Sequence, residues 1–177
     1  MGRSSPKAAL FWPLLLVILA LDVTTKSLAV TYLVPEYVPH GVVGDWVQLT
    51  LAYNPGASFG IGVGPYSRGA FIVLALFALV ILAQLYRATA PLDRLRAMAL
   101  ALVCAGAGGN MLDRIRSSRG VIDFIDLGIG NTRFYTFNVA DMAITVGALA
   151  LAWVLWQEDR TRSLAAGHPV TESQSPS

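Results

Sequence analysis

The sequence predicts a membrane-embedded α-helical protein with four transmembrane helices and a small extracytoplasmic β-cradle, and three observations support this fold class. The 177 residues are 55% hydrophobic and 14% charged, and the mean hydropathy is +0.57. A soluble domain of this size needs more charged side chains to cover its surface. Apolar residues are concentrated in four windows close to the length that spans a bilayer. The segments between these windows contain strand and turn patterns.

The four apolar windows are the predicted spans, since a helix needs about 20 predominantly apolar residues to cross a bilayer. They cover approximately residues 10–30, 69–86, 95–112 and 139–156. The first window follows Arg3 and Lys7, as the apolar region of a signal peptide does. It continues past Asp22 and Lys26 to Leu33, so we expect this segment to be retained. The third window ends in "AGAGGN", whose small residues let helices or a substrate backbone approach closely.

Two segments between the spans, approximately residues 31–68 and 113–138, predict the β-cradle. "DWVQLTLAYNPGASFGI" alternates apolar and polar residues before a Pro-Gly break, which is typical of a strand that ends in a turn. "GVIDFIDLGIGNTRFYTFN" predicts two short strands around a Gly-Asn turn. Open strands cannot lie in lipid. We therefore expect a small sheet at the membrane surface, over the outer ends of the helices.

Four spans place both termini on the same side of the membrane. That side would carry seven of the basic residues and the opposite side five, with Lys26 inside a helix. The positive-inside rule then favours cytoplasmic termini. Residues 1–157 are predicted to form a single membrane-embedded domain, and the polar residues 158–177 a disordered cytoplasmic tail.

Composition also excludes several classes of function. The net charge of +2 and the absence of a basic run argue against a nucleic-acid partner. A single cysteine, Cys104, excludes an internal disulfide and a cysteine-rich metal site, and we interpret it as a packing residue. The two histidines, His40 and His168, lie in polar, Pro-flanked stretches without ligand spacing. The sequence therefore gives no reason to expect a metal.

The fourth apolar window opens on two polar residues, Asn138 and Asp141, one helical turn apart. Asn and Asp are good helix N-caps, because their side-chain oxygens accept otherwise unpaired backbone N–H groups. One cap satisfies this need. The second polar side chain at the mouth of an apolar helix therefore suggests a further role.

Other polar residues at the ends of the spans have structural as well as functional interpretations. Asp22 and Lys26 share a helix face, which fits a membrane-edge ion pair with a snorkelling lysine or a supporting role in a site. Asn110, Asp113 and Arg114 share another face, where capping and a local salt bridge are the less favoured alternative to a role in a site. Elsewhere, Asn54 suits a turn, and we interpret Asp126 as a solvated strand residue.

What these structural interpretations leave unexplained is that the polar residues map to one membrane face. This set comprises Asp22, Asn54, Asn110, Arg114, Asp123, Asn138 and Asp141. Ionisable groups inside a membrane are costly and are usually functional. The outer segments contain no Ser-His pair, no Ser-Lys pair and no His-Cys metal set, which leaves carboxylate chemistry. Two aspartates that share a site supply a general base and a general acid at neutral pH. The residues alone do not indicate which two aspartates are involved.

Five motifs, in their order and spacing along the chain, resemble those of the lipoprotein signal peptidases (signal peptidase II). They are the Asp22/Lys26 pair, "YNPGASFG", "GGNMLDR", "VIDF" and "FNVADMAI". Ser58 departs from the second alanine common in that family, and Pro55 occupies a variable position. The resemblance implies a membrane-embedded aspartic endopeptidase of the bacterial cytoplasmic (inner) membrane. Such an enzyme removes signal peptides from prolipoproteins by cleaving on the N-terminal side of a diacylglyceryl-modified cysteine.

The resemblance also implies roles for individual residues. The catalytic aspartates fall on Asp123 of "VIDF" and Asp141 of "NVAD". The substrate-binding or supporting residues fall on Asn54, Asn110, Arg114, Asn138, Asp22 and Lys26. No metal or organic cofactor is implied. The expected partners are prolipoprotein signal peptides that carry diacylglyceryl-cysteine, and membrane lipid. We expect a monomer whose active site lies near the extracytoplasmic face.

Two other classes of function also use outer polar residues in a membrane protein. A small transporter or proton-relay protein would use intramembrane Asp and Asn, but with charges near the midplane and with repeats or broken helices. A noncatalytic assembly or lipid-binding module would carry the two aspartates incidentally. Cleavage of a lipid-modified precursor by the purified protein separates the three.

Overall fold

The computed structural model describes residues 5–56, 66–130 and 132–166 of the chain. This part contains four helices that are long and apolar enough to cross a membrane. They are α1 (Pro6–Tyr32), α2 (Ser67–Ala88), α3 (Arg94–Arg116) and α4 (Val139–Ala166). The four predicted spans are therefore confirmed. The predicted small sheet is confirmed as well, since the strands form a four-stranded sheet. Ser58 and the turn residue Asn131 lie outside the described residues.

Local sequence explains where two of the helices begin. Ser5 is the N-cap of α1, and its hydroxyl accepts the backbone N–H of Ala8 at 3.4 Å. Pro6 follows at the first helical position, where its missing N–H costs nothing. Asp93 caps α3 in the same way by accepting the N–H of Arg96 at 3.1 Å.

Helix α3 lies at the centre of the bundle and contacts α1, α2 and α4. Small residues make this packing possible. A Cβ added at Gly106 would overlap the carbonyl oxygen of Ala140, and one added at Gly109 would overlap a carboxylate oxygen of Asp22. The "AGAGGN" stretch therefore serves close packing of α3 against α1 and α4.

The sheet is antiparallel, in the order β1-β2-β3-β4. Its strands are β1 (His40–Val43), β2 (Val47–Asn54), β3 (Val121–Ile129) and β4 (Thr132–Arg133). Leu51 and Phe124 of the sheet pack against Ala29 and Leu33 near the end of α1. This apolar cluster fixes the sheet over one end of the bundle, with β3 beside the start of α4.

One expectation about a helix end needs correction. Helix α4 continues to Ala166, so residues 158–166 are helical and the predicted disordered tail does not begin at residue 158. Glu158 pairs with Arg96 of α3 at 2.7 Å, which extends helix packing beyond the apolar window. Helix α3 extends beyond the apolar window to Arg116, which agrees with the expectation that Asn110, Asp113 and Arg114 share one helix face. Residues 167–177 lie outside the described part of the chain.

Candidate active site

The carboxyl groups of Asp123 and Asp141 line one cavity of about 320 Å³ at the sheet end of the bundle. Asp123 lies on β3 and is 2% exposed, and Asp141 lies in the first turn of α4. Apolar side chains of α2 form part of the opposite wall. Three further predicted site residues line the same cavity: Asn54, Asn110 and Arg114. The structure thus brings together polar residues from β2, α3, β3 and α4.

Asn138 contacts both aspartates. Its side-chain Nδ2 donates to Asp123 Oδ1 at 2.6 Å, and its backbone N–H donates to Asp141 Oδ2 at 3.2 Å. Its Oδ1 accepts the backbone N–H of Asp141 at 2.9 Å. The last two bonds form a reciprocal capping box. The inference that a single cap suffices at this helix start is therefore wrong, since both residues cap α4 and Asn138 also reaches Asp123.

Two more asparagines complete the hydrogen bonding of the carboxyl groups. Asn54 Nδ2 donates to Asp123 Oδ2 at 3.2 Å, and Asn110 Nδ2 donates to Asp141 Oδ1 at 2.7 Å. Asn54 also shapes the turn after β2, because its Oδ1 accepts the N–H of Gly56 at 3.1 Å. Each carboxyl group is therefore oriented through both of its oxygens.

The electrostatics of the cavity alter the acidity of Asp123. Burial raises the pKa of Asp123 from 3.8 to about 7, and the nearby charge of Asp141 raises it in the same direction. Hydrogen bonds from Asn54 and Asn138 partly oppose this increase in pKa. A carboxyl group of this kind exchanges protons near neutral pH.

Arg114 joins the wall of the cavity to the turn after β2. Its guanidinium group donates to the carbonyl oxygens of Asn110 and Gly56, each at 3.2 Å, and lies over the ring of Phe71. The local salt bridge between Asp113 and Arg114, the structural alternative for these residues, does not form. Asp113 instead pairs with Lys26 at 2.8 Å, because both side chains point into the contact between α3 and α1.

Asp22 and Lys26 lie behind the cavity. They form an ion pair at 2.8 Å, with 0% and 2% of their side chains exposed. The interpretation of Lys26 as a snorkelling residue is therefore wrong. Asp22 Oδ1 accepts the backbone N–H of Ala140 at 2.9 Å, which ties α1 to the start of α4.

Asp126 is the remaining correction, because it is buried rather than solvated. Its two carboxylate oxygens contact Arg133 Nε at 2.8 Å and Thr50 Oγ1 at 3.1 Å. It lies three residues from Asp123 and therefore on the opposite face of β3. This separation follows from the alternation of side chains along a strand, whereas the cover supplied by Arg133 depends on the fold of β4.

No group of three or more His, Cys, Asp or Glu side chains arranged to hold a metal occurs in the described ranges. The polar groups around Asp123 and Asp141 bind one another and leave an open cavity beside them. This arrangement fits acid–base chemistry by two carboxyl groups.

The family model described as "Signal peptidase (SPase) II" matches residues 14–157. A lipoprotein signal peptidase of Desulforapulum autotrophicum is 42% identical over 142 residues, which are 77% of this chain and 85% of that protein. A lipoprotein signal peptidase of Moorella thermoacetica is 37% identical over 146 residues, 82% of this chain and 91% of that protein.

Two solved bacterial membrane enzyme structures have the same fold. The match to one of them has a TM-score of 0.70 at 27% sequence identity and covers 80% of this chain and 89% of the other chain. The other has a TM-score of 0.73 at 24% identity, covers 93% and 92%, and shows the fold alone. Taken with the family model and the two relatives, these matches confirm the resemblance in the motifs. The chain belongs to the signal peptidase II family.

Proposed function

We propose that this protein is a membrane-embedded aspartic endopeptidase that removes signal peptides from prolipoproteins, with Asp123 and Asp141 as its catalytic residues. The cut falls on the N-terminal side of a diacylglyceryl-modified cysteine. The observation that carries the proposal is that Asn138 contacts both carboxyl groups beside a cavity that α2 lines with apolar side chains. Family membership and the names of the relatives support the class of substrate.

The two aspartates have different roles in the proposed mechanism. Asp141 is the base, because it lies in the first turn of α4, where a helix N-terminus favours a carboxylate. It takes a proton from a water molecule whose oxygen attacks the scissile carbonyl carbon. Asp123 is the acid, because its pKa of about 7 keeps a proton available near neutral pH.

The proton on Asp123 completes the reaction. It first stabilises the negative charge that develops on the carbonyl oxygen, and then passes to the amide nitrogen as the C–N bond breaks. The products are a carboxylic acid and an amine. Transfer of the water proton from Asp141 to Asp123 restores the starting state. Asn54, Asn110 and Asn138 keep the two carboxyl groups oriented throughout.

Two recesses on either side of Asp141 suit the two apolar parts of the substrate. The cavity beside α2 takes the end of the signal helix. A second groove of about 560 Å³, lined by Phe134, Phe137, Met142 and Val146 among others, takes the acyl chains. The dyad and its polar partners come from one chain, so we propose that the monomer is active.

We further propose that the termini are cytoplasmic and that the cavity opens near the extracytoplasmic face. The excess of basic residues on the side of the termini supports this orientation. Reporter fusions placed after Tyr53 and after Arg94 are expected to report opposite sides of the membrane. Equal signals from the two fusions would rule out the four-span topology.

The decisive experiment is cleavage of a lipid-modified precursor by the purified protein, with the cut site read by mass spectrometry. We expect release of the signal peptide immediately before the modified cysteine. A precursor without the diacylglyceryl group should be cut poorly, because it has no acyl chains to place in the groove. Each acyl methylene contributes at most about 0.8 kcal/mol on full burial, and a chain that moves from lipid into the groove retains only part of this free energy. Equal turnover of both precursors would refute lipid recognition but not peptidase activity. A transporter, proton-relay protein or lipid-binding module would leave both precursors intact.

A further inference from the structure

Lys26 lies at the junction of α1 and α3, behind the two aspartates, with 2% of its side chain exposed. An ammonium group has three N–H donors and no acceptor. Lys26 Nζ contacts three acceptors: Asp22 Oδ2 at 2.8 Å, Asp113 Oδ2 at 2.8 Å and Asn110 Oδ1 at 2.9 Å. Each donor of this buried cation therefore has its own partner.

Two of these partners hold Asp141. The second oxygen of Asp22 accepts the backbone N–H of Ala140, the residue directly before Asp141. Asn110, whose Oδ1 faces Lys26, directs its Nδ2 to Asp141 Oδ1 at 2.7 Å. An amide that accepts from an ammonium at its oxygen must present its N–H₂ group elsewhere. Lys26 therefore fixes which end of Asn110 faces Asp141.

The third partner holds Asp123. Asp113 Oδ2 accepts the backbone N–H of Ile122 at 3.3 Å, and Ile122 directly precedes Asp123 on β3. The same oxygen contacts Lys26. A single ammonium group therefore connects, through three side chains, to the side chain of Asp141 and to the backbone N–H groups of the residues directly before Asp141 and Asp123.

We infer that Lys26 and Asp113 are positioning residues that set the distance between Asp123 and Asp141. The inference rests on the proposed function, in which these two carboxyl groups act as one unit. Asp123 lies on strand β3 and Asp141 on helix α4. The buried cation on α1 gives these two elements a common reference point. A shift of about 1 Å at reacting groups can cost about 100-fold in rate. An arginine would not substitute, because its planar fork does not match three converging acceptors.

The test compares two lysines of the same helix. Lys7, near the other end of α1, donates to carbonyl oxygens at the end of α2, including that of Tyr86 at 2.9 Å. Both Lys26→Met and Lys7→Met remove an ammonium group that joins two helices. We expect Lys26→Met to lower kcat about 100-fold and to leave KM within about threefold. The fall of activity at high pH should move upward, because the charge of Lys26 lowers the pKa of Asp123. Lys7→Met should lower the melting temperature and leave kcat and the pH profile unchanged.

A second variant separates positioning from charge neutralisation. Lys26→Met leaves Asp22 and Asp113 buried without a cation, which alone destabilises the fold. Lys26→Met/Asp22→Asn returns the cluster to its original net charge, and the new amide oxygen still accepts the N–H of Ala140. We expect this double variant to fold and to keep the low kcat. Recovery of kcat in the double variant would overturn the inference.

Amide hydrogen exchange adds a readout that does not depend on cleavage. The N–H groups of Ala140 and Ile122 should exchange faster in Lys26→Met than in Lys7→Met. Unchanged exchange together with a normal kcat would overturn the positioning role. Failure of the wild-type protein to cut the lipid-modified precursor would instead overturn the proposed function.

Discussion

The two ends of the helix bundle are held together by different chemistry. At the sheet end, α1, α3 and α4 meet through a buried polar network that includes Asp22, Lys26 and Asn138. At the other end, Phe11, Leu82, Leu100 and Ala101 form an apolar cluster. An ionic contact near that end, between Arg96 and Glu158, is partly exposed.

The apolar end shows that helices of this bundle can pack without buried charge. Burying an ion pair costs desolvation energy that its attraction often fails to recover, and well-packed apolar residues are frequently as stabilising. The apolar cluster around Leu100 joins three helices without buried charge. The polar network at the sheet end therefore has a purpose beyond stability, and the proposed acid–base chemistry supplies one.

The largest expected effect comes from the two aspartates. Asp123→Asn and Asp141→Asn should each lower kcat by about 10²–10⁴-fold or more, because each removes one partner of the acid–base pair. The double variant should be hardly worse than either single variant, since groups that act as one unit are not additive. Cleavage assays on properly inserted protein measure this. Near-normal activity of Asp141→Asn would refute the dyad.

A matched control for these variants is Asp45→Asn, which changes an exposed aspartate in the turn between β1 and β2. It should leave both kcat and the melting temperature unchanged. Asp126→Asn is less suitable, because Asp126 is buried against Arg133 and Thr50. We expect Asp126→Asn to lose about 1 kcal/mol of stability or more while keeping substantial activity.

The next largest effect, on stability and kcat, is expected at Gly108 and Gly109, which are adjacent in α3 but lie on different faces of the helix. A Cβ at Gly109 would overlap Asp22, whereas no described atom lies within 4 Å of a Cβ at Gly108. Gly109→Ala should cost about 1–3 kcal/mol through overpacking and also lower kcat by displacing Asp22. Gly108→Ala should raise stability by about 0.4–1 kcal/mol. Thermal unfolding and cleavage assays on both variants test the pair, and similar behaviour would contradict the packing described here.

A smaller effect concerns pH. Because the pKa of Asp123 is raised to about 7 in the folded state, the folded protein binds this proton more tightly than the unfolded chain. The stability contributed by this group is fully present below pH 3.8 and is lost as the pH rises through about 7. Activity should also decline above about pH 7 as the acid loses its proton.

Asp123→Asn tests the stability part of this prediction. The variant should gain melting temperature relative to the wild type at about pH 8, and gain less at about pH 5. Differential scanning calorimetry at the two pH values measures the difference. An equal change at both would show that Asp123 does not titrate in this range.

The smallest expected effect lies at the end opposite the sheet. Arg96→Ala removes the contact with Glu158 at 2.7 Å, and both side chains are partly exposed. Such pairs contribute about 0–1 kcal/mol, so we expect a small loss of melting temperature and no change in kcat. A loss of activity comparable to that of Lys26→Met would remove the distinction between the two ends.

Local sequence determined much of the architecture. The four apolar windows depend on composition over about 20 residues, and the strands depend on alternation and turn residues. Both are properties of neighbouring residues, so the helices and the sheet were predictable. The motifs around Asp123 and Asp141 also identified the family from the sequence, since their order and spacing are linear features.

Only the tertiary structure decided which polar groups pair. Lys26 meets Asn110, 84 positions away, and Asp22 meets the N–H of Ala140, 118 positions away. From the sequence, a salt bridge to Arg114 was one interpretation of Asp113, and Asp126 was expected to be solvated. The fold instead buries Asp113 against Lys26 and Asp126 under Arg133. Burial and hydrogen bonding depend on which elements cover a residue, and those elements are distant in the chain. The sequence alone therefore determined the elements and the family, and the packing of α1, α3 and β3 determined the partners of each charge.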